Sequence, residues 1–246
     1  MSLLITGAGG TLGREVATRL PDALTPASAE LDIRSVEHVD HYVANHAVDT
    51  VIHCAARTSV RACEIDRQDA FDVNVSGSRA ICSALAKHTE KPLLVYVSTA
   101  CVFPGDDAAE RYTEDDLPQP KNYYALTKLL SEHTIIDWAD CSPDRKTLIV
   151  RTNFADRGEW KHPRAFVDRF GTYLYPDLVA QRLVELMREG RDGILHVCGE
   201  RRLSMFEFAR LTDPDVGPTS LKKYDGPPVT VNMCLTSNRI APVTLK

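Results

Sequence analysis

The sequence predicts a doubly wound α/β fold, in which a parallel sheet is covered by helices on both faces. Strand-like and helix-like runs alternate over residues 3–150. The strands are almost continuously apolar, as in residues 50–54 and 92–98, which is typical of parallel strands buried on both faces. Right-handed crossovers then bring the carboxyl ends of the strands to one edge, where ligands bind.

The elements follow from local patterns in chain order. The first strand covers residues 3–6, and a helix follows over about residues 12–20. Ser35 is placed to cap a helix over residues 36–45. The other main elements are helices over residues 70–87, 124–138, 177–188 and 205–211, and strands over residues 50–54, 92–98, 147–150 and 194–197.

A glycine cluster joins the first strand directly to the first helix. Gly7, Gly10 and Gly13 form a G-x-x-G-x-x-G pattern. Glycine permits the tight turn and lets main-chain N–H groups approach a pyrophosphate at a helix N-terminus, where the partial positive charge lies. An ordinary strand-to-helix turn explains an isolated cluster equally well, so its meaning depends on the other motifs of the chain.

Composition excludes several classes of protein. The chain is 43% hydrophobic and 26% charged, as in globular proteins, and its net charge of -5 gives no reason to expect nucleic acid or an anionic membrane as a partner. No apolar run approaches the ~18 residues of a membrane span. Because the first residues already form a core strand, we expect no secretory signal and a cytoplasmic protein. The seven cysteines contain no C-x-x-C pair, which favours a reducing compartment and no structural metal.

The alternation of elements weakens in the second half of the chain. Residues 155–175 are mostly polar, and residues 213–246 hold five prolines and little periodicity. We therefore expect residues 1–155 to form a dinucleotide-binding core. Residues 156–246 are expected to form a small substrate lobe, interleaved with the end of the core in one compact unit.

A second motif, Y-A-L-T-K, places Tyr124 and Lys128 on one face of a predicted helix. A nearby ammonium favours the phenolate and should lower the tyrosine pKa from its usual value of about 10. Such a pair can give and take a proton at a carbonyl oxygen, although the same spacing also arises in ordinary amphipathic helices.

A third motif lies where an apolar strand ends in Ser98 and Thr99. A hydroxyl at this edge can hydrogen-bond a substrate carbonyl and the tyrosine oxygen. A simple Ser/Thr turn at a strand end is the alternative interpretation.

Together, in this order and spacing, the three motifs resemble those of the extended short-chain dehydrogenase/reductases, which have a Rossmann-type fold. Within that family the sequence is most similar to the dTDP-4-dehydrorhamnose reductases. Residues 98–105 resemble their S-T-D-Y-V-F-x-G strand end, residues 74–77 their N-V-x-G segment, and residues 166–172 their D-Q-F-G-x-P-T stretch.

The resemblance implies an NAD(P)H-dependent reductase of a nucleotide-activated 4-keto-6-deoxy sugar, with Thr99, Tyr124 and Lys128 as catalytic residues. The cofactor contacts that it implies are Gly7, Gly9, Gly10, Thr11, Leu12, Asp32, Ile33, Cys54, Ala55, Ala56, Tyr124 and Lys128. The substrate contacts that it implies are Thr58, Ala100, Asn153 and Arg164. A homodimer is also compatible with it, because helices beside the sheet often pair in this family.

The phosphate state of the cofactor rests on the residues after the second predicted strand. Residues 27–28 carry no carboxylate, whereas NAD-dependent proteins place an acidic residue there to hold the ribose 2′-hydroxyl. Arg14 and Arg34 are near in sequence and could meet a 2′-phosphate, so NADP(H) is favoured over NAD(H). Two solvated charges would explain these arginines equally well.

The sequence departs from the reductase pattern directly after Thr99, and Arg61 replaces an acidic residue that is common in the family. Ala100 and Cys101 stand where these reductases have aspartate and tyrosine. The Asp-Glu pair of the related dehydratases is missing after Thr99, which argues against sugar dehydration. Two alternatives stay open: a nucleotide-sugar epimerase with retained NAD, and a non-catalytic NADP-binding subunit resembling the regulatory subunit of methionine adenosyltransferase.

Overall fold

The computed structural model describes residues 2–106, 111–158, 160 and 162–245. In chain order the strands are β1 (Ser2–Thr6), β2 (Val48–His53), β3 (Leu93–Thr99), β4 (Lys146–Thr152), β5 (Arg164–Phe166), β6 (Phe170–Gly171), β7 (Gly193–Val197), β8 (Leu203–Ser204), β9 (Gly217–Thr219) and β10 (Asn232–Met233). The helices are α1 (Thr11–Arg19), α2 (Val36–Asn45), α3 (Val60–Ile65), α4 (Arg67–Phe71), α5 (Gly77–His88), α6 (Tyr123–Asp140), α7 (Pro176–Arg188) and α8 (Met205–Ala209). None of these described helices combines the length and apolar content needed to cross a bilayer.

The centre of the molecule is a parallel sheet with the strand order β1-β2-β3-β4-β7. On the outer side of β1, the N–H of Leu24 donates to the carbonyl of Leu3, and the N–H of Ile5 donates to the carbonyl of Leu24. The chain therefore leaves β1 towards one side and returns at β2 on the other. This reversal makes the carboxyl end of β1 the switch point of the sheet, where a crevice is expected. The predicted doubly wound fold is confirmed.

Helices cover both faces of the sheet, and each face has its own apolar core. Residues of α2, α5 and α6 pack on one side, here called the α6 face, and those of α1 and α7 pack on the other, here called the α7 face. Adjacent strand residues alternate between them: Leu4 and Leu94 belong to the α6 face, Ile5 and Val95 to the α7 face. This alternation explains why the strands read as continuous apolar runs.

The helix predicted over residues 70–87 is longer and contains an irregularity. A π-helical turn (Asp72–Ser76) joins α4 to α5, so residues 67–88 run as one helical stretch. Within this turn, the side-chain oxygen of Asn74 accepts from the N–H of Arg57 at 2.8 Å, and its amide donates to the hydroxyl of Thr127 at 2.8 Å. Asn74 thereby ties the segment after β2 to α6.

The second half of the chain contributes to two places. α7 and β7 return to the central sheet, as their periodicity predicts. The remaining pieces form a β10-β6-β8 sheet and a β5-β9 pair around a separate apolar cluster that includes Phe103, Tyr173 and Phe208. These strands are two or three residues long, which is too short to show a period in the sequence.

Candidate active site

A cleft of about 700 Å³ opens at the carboxyl ends of β1 and β2. Its walls are the glycine turn after β1, the segment over residues 26–34, and the segment that follows β2. The predicted cofactor contacts that line it are Gly7, Gly9, Gly10, Asp32, Ile33, Cys54, Ala55 and Ala56. Of the others, Leu12 is buried in the core of the α7 face, and Thr11 lines a second pocket described below.

Two glycines of the turn are required by close packing of the backbone. Gly7 has φ +69°, and a Cβ there would lie 2.6 Å from the backbone nitrogen of Ala55. A Cβ on Gly13 would lie 2.1 Å from the carbonyl oxygen of Gly7. Gly9, by contrast, is exposed and faces open space. The turn is therefore pressed against the segment after β2, while its outer side stays accessible to a ligand.

The N-terminus of α1 borders the same cleft and is suited to an anion. In the described structure no side chain caps this helix, and its first turn contains no acidic residue. The free N–H groups and the positive end of the helix dipole are thus available to a phosphate. This end of α1 and the open side of Gly9 fit the pyrophosphate of a dinucleotide.

Charged side chains surround the far end of the cleft. Arg34 lines the cleft and pairs with Asp32 at 2.8 Å, and this bond holds the pKa of the Asp32 carboxyl below its usual value. Arg57 also lines the cleft, and its Nε lies 2.6 Å from a carboxylate oxygen of Asp69. Arg14 is exposed on α1 and is not among the residues that line the cleft. Two guanidinium groups, at Arg34 and Arg57, are therefore held beside it.

A carboxylate lies next to the predicted position of the ribose hydroxyls, although residues 27–28 themselves carry none. Ala27 and Ser28 line the cleft as expected. The side chain of Glu30, however, turns back and accepts the N–H of Ala27 at 2.8 Å. Spacing alone did not indicate this contact, because it depends on the turn that residues 27–31 form.

The structure brings Thr99 and Tyr124 to the same edge of the sheet. Thr99 ends β3, and its oxygen accepts the N–H of Cys101 at 3.1 Å, which leaves its own proton free to be donated. The side chain of Asn122 accepts the N–H of Ala125 at 2.9 Å and caps α6. This cap starts the helix at residue 123, so Tyr124 lies in its first turn, next to the end of β3.

The expected lowering of the tyrosine pKa by lysine is wrong for the protein chain alone. Burial raises the pKa of Tyr124, and the thiol of Cys101 adds to the rise. A hydrogen bond with the hydroxyl of Thr99 acts in the opposite direction. Lys128 is itself only 2% exposed, and burial lowers its pKa to about 7, against the opposing charge of Glu132.

Comparison with known proteins identifies the family. The family model described as the RmlD substrate binding domain matches residues 1–219. The chain belongs to this family. It is 30% identical over 235 residues to the probable dTDP-4,6-dihydroxy-2-methyloxan-3-one 4-ketoreductase of Streptomyces antibioticus, covering 88% of this chain and 79% of that protein. It is 31% identical over 235 residues to the dTDP-4-dehydrorhamnose reductase of Mycolicibacterium smegmatis, covering 87% and 69%.

Solved structures agree with this assignment. A dTDP-4-dehydrorhamnose reductase of Clostridium acetobutylicum matches with a TM-score of 0.83 and 26% identity, covering 96% of this chain and 90% of that chain. The enzyme of the same name from Bacillus anthracis, in complex with NADP, matches with a TM-score of 0.83 and 25% identity, covering 97% and 92%. The family predicted from the sequence is therefore confirmed.

The four predicted substrate contacts differ in their exposure to solvent in this RmlD-family chain. Thr58 and Arg164 are exposed, and Asn153 is half-buried immediately after β4. Ala100 is fully buried in the apolar cluster of the second half, so its side chain has no open surface to offer.

A second pocket of about 380 Å³ begins next to the cleft, at Thr11. The other residues that line it are Phe154, Ala155, Asp156, Trp160, His162, Phe166, Arg169 and Met205. The sequence analysis missed this pocket, because its residues come from α1, the segment after β4 and the start of α8. Only the packing of the second half against α1 brings them together.

A buried ion pair lies one helical turn beyond Lys128. Arg151 of β4 and Glu132 of α6 are 2.7 Å apart, and their side chains are 3% and 1% exposed. The hydroxyl of Ser98 donates to the same carboxylate. This pair joins the carboxyl ends of β3 and β4 to the helix that carries Tyr124 and Lys128.

Proposed function

We propose that this RmlD-family chain is an NADP(H)-dependent reductase of a nucleotide-activated 4-keto-6-deoxy sugar. The observation that carries the proposal is the meeting of Thr99 and Tyr124 at the sheet edge, beside a glycine-lined cleft, with Lys128 buried one turn further along α6. Relatives named dTDP-4-keto-6-deoxy-D-glucose reductase and dTDP-4-dehydrorhamnose reductase, 28–31% identical, support it.

The cofactor would lie in the cleft, with its pyrophosphate at the start of α1. Main-chain N–H groups at Gly9 and in the first turn of α1 would bind the phosphates, since no side chain of the described structure caps this helix. The predicted contacts Asp32 and Ile33 would border the adenosine, and residues 54–56 the opposite wall. When bound, the reduced nicotinamide supplies the hydride that reduces the keto carbon.

The preference for NADP(H) over NAD(H) would rest on the guanidinium groups beside the cleft. Arg34 is held there by Asp32 and Asp69, and the NADP complex of the Bacillus anthracis enzyme supports a phosphorylated cofactor. Arg34→Ala should weaken NADPH binding and leave NADH binding nearly unchanged, as measured by nicotinamide fluorescence. If Glu30→Ala weakens NADH binding more than Arg34→Ala weakens NADPH binding, the carboxylate contributes more than the guanidinium. The protein then prefers NADH, and this part of the proposal is wrong.

The protein groups would act on the carbonyl oxygen. Thr99 would donate its hydroxyl proton to it once the substrate is bound, in place of the hydrogen bond that it makes with Tyr124, while its oxygen still accepts the N–H of Cys101. Tyr124 then gives its proton to the forming alkoxide. Its raised pKa keeps the phenol protonated, which is the form that reduction requires. Lys128 would place a positive charge beside the developing negative charge.

The nucleotide part of the substrate would occupy the second pocket. Trp160 and Phe166 offer rings for stacking, and Arg169 a charge for a phosphate. Trp160→Ala should then raise KM for the nucleotide sugar about tenfold while NADPH binding is retained. Thr58, Ala100, Asn153 and Arg164 stay predictions as substrate contacts.

The deciding experiment mixes the protein with NADPH and a dTDP-linked 4-keto-6-deoxyhexose and follows the loss of reduced-nicotinamide absorbance. Oxidation that depends on the sugar establishes the reductase. Conversion of the sugar with no net oxidation, by protein that retains dinucleotide through purification, would point to an epimerase. Tight NADPH binding without any conversion would favour a regulatory subunit.

A homodimer is included in the proposal. Leu126 and Leu130 lie one turn apart on α6, and each is 37% exposed. Apolar side chains in this arrangement suit a contact between two copies of the helix. Sedimentation equilibrium would show whether the chain sediments as one copy or two, and Leu130→Glu should favour the single copy.

A further inference from the structure

The side chain of Lys128 ends on an aromatic ring. Its Nζ lies 4.0 Å from the ring centroid of Tyr96, which stands on β3 beneath α6. Both residues are buried, at 2% and 1% exposure. Glu132, the acidic residue of the same helix that acts on the lysine, is engaged by Arg151 at 2.7 Å. In the part of the chain that the structure describes, the ring is thus the direct contact of the buried ammonium, and the charge of Glu132 acts on it as well.

The ring of Tyr96 is fixed by a polar row that crosses three strands. Thr6 of β1, His53 of β2 and Tyr96 of β3 lie in register. Nδ1 of His53 lies 2.6 Å from the hydroxyl of Thr6, and the histidine and tyrosine rings are 5.5 Å apart. Burial lowers the pKa of His53 to about 3, so this ring is neutral. No second cation therefore competes for the tyrosine from that side.

The position of Lys128 also relates it to the cofactor cleft. Cys54 lines the cleft, and the charge of Lys128 is close enough to act on its thiol. The titratable groups that face the lysine are Glu132 from α6, His53 and Cys54 from β2 and its end, and Tyr96 from β3. The ammonium thus lies between the wall of the cleft and the tyrosine ring.

An aromatic face attracts a cation, and more strongly where water is excluded. We propose that Tyr96 is a positioning residue, whose ring face keeps the Lys128 ammonium charged and fixed beside the cleft for the reaction at Tyr124. The catalytic meaning of this inference rests on the proposed function, while the contact itself does not. Burial alone favours the neutral amine of Lys128, and the ring opposes that tendency.

The test compares variants that keep or remove the ring. Tyr96→Phe retains the aromatic face, and Tyr96→Leu removes it. The primary measurement is a pH titration of the Lys128 side chain by NMR on lysine-labelled protein, with the signal assigned through Lys128→Met. We expect wild type and Tyr96→Phe to titrate alike. In Tyr96→Leu the midpoint should fall by about one pH unit, which is a tenfold change in proton affinity.

A second variant keeps the test valid if Tyr96→Leu does not fold. Tyr96→pentafluorophenylalanine keeps a ring of similar shape but removes its negative face. It should lower the Lys128 midpoint below that of Tyr96→Phe. Tyr175→Leu is the matched control, because Tyr175 is a buried tyrosine that packs on Phe208 in another cluster, and the Lys128 midpoint should not move.

The same variants connect the contact to turnover. If the chain is the proposed reductase, the basic limb of the kcat/KM profile should move to lower pH in the two variants that lack a negative ring face. Equal Lys128 midpoints in Tyr96→Phe, Tyr96→Leu and the fluorinated variant would overturn the inference, even in an active enzyme. A shifted midpoint without any sugar-dependent NADPH oxidation would instead sustain the contact and reject the proposed function.

Discussion

The two faces of the central sheet differ most near its carboxyl edge. On the α7 face the row Val97, Val150 and Leu195 across β3, β4 and β7 is aliphatic, and threonines of β3 and β4 enter only in the final row, beside Val197. On the α6 face the neighbouring row is polar: Ser98, Arg151 and His196. All three polar residues are at most 4% exposed. Before their final row, the same strands therefore carry an apolar surface on one side and a buried polar layer on the other.

The difference indicates which face of the sheet supports the proposed reaction. Aliphatic burial under α7 stabilises the sheet without directional demands. Buried charges under α6 carry a desolvation cost and persist only when paired, as Arg151 and Glu132 are. The buried charges lie on the same face as Tyr124 and Lys128, which α6 carries. The comparison predicts that changes to the buried polar groups of the α6 face alter activity, whereas changes in the aliphatic core under α7 alter stability alone.

The largest effect is expected at the edge of the α6 face. Tyr124→Phe removes the proton donor and should reduce kcat by about 10²–10⁴-fold. NADPH binding should stay near that of the wild type, because the cleft is untouched. Steady-state kinetics measures kcat, and fluorescence titration measures NADPH binding. Tyr123→Phe, one residue earlier on α6, is the control and should retain turnover; full activity of Tyr124→Phe would contradict the assignment.

The buried pair beneath the site should show the next largest effect, now on stability. Arg151→Met leaves the Glu132 carboxylate buried without its cation, which should cost about 3–5 kcal/mol in the free energy of unfolding. Adding Glu132→Leu should recover much of this loss. Urea unfolding measures both. Arg182→Met breaks a more exposed pair with Glu189 and should cost no more than about 1 kcal/mol; equal losses in the two arginine variants would show that burial does not decide the cost.

The α7 face offers the complementary test. Leu183 of α7 is fully buried in the aliphatic core, so Leu183→Ala should lower the free energy of unfolding by about 2–5 kcal/mol. Below the unfolding temperature, kcat per folded molecule should not change. A loss of kcat comparable to that of Tyr124→Phe would mean that the two faces are not functionally separate.

The last effect, small for each pH unit, concerns acid stability. Burial lowers the pKa of His53 from 6.5 to about 3, so between these values the unfolded chain binds more protons than the folded one. The free energy of unfolding should therefore decrease as pH falls from 6.5, by up to about 1.4 kcal/mol per pH unit from this group.

The matching measurement is urea unfolding of wild type and His53→Gln between pH 6.5 and 4. The variant should show a shallower acid slope, since its side chain does not titrate. His41 is exposed on α2, and His41→Gln should keep the slope of the wild type. Parallel slopes for wild type and His53→Gln would show that His53 does not contribute.

Local patterns in the sequence were sufficient for the framework and for naming the groups that we propose react. The apolar strands, the glycine turn and the cap at Ser35, whose oxygen accepts the N–H of His38, each depend on residues that are neighbours in the chain. Tyr124 and Lys128 share a helix face for the same reason, because i and i+4 positions are adjacent on any α-helix. The family followed from these motifs in their order.

Tertiary structure decided what surrounds those groups. The ring beneath Lys128 comes from β3, the partner of Glu132 from β4, and the walls of the second pocket from residues 11, 154–169 and 205. None of these pairings leaves a period or a fixed spacing in the sequence. Burial likewise reversed the expected shift of the Tyr124 pKa. Solvent exclusion is a sum over contacts from distant segments, so the electrostatics of the site exist only once the sheet and its two layers of helices have assembled.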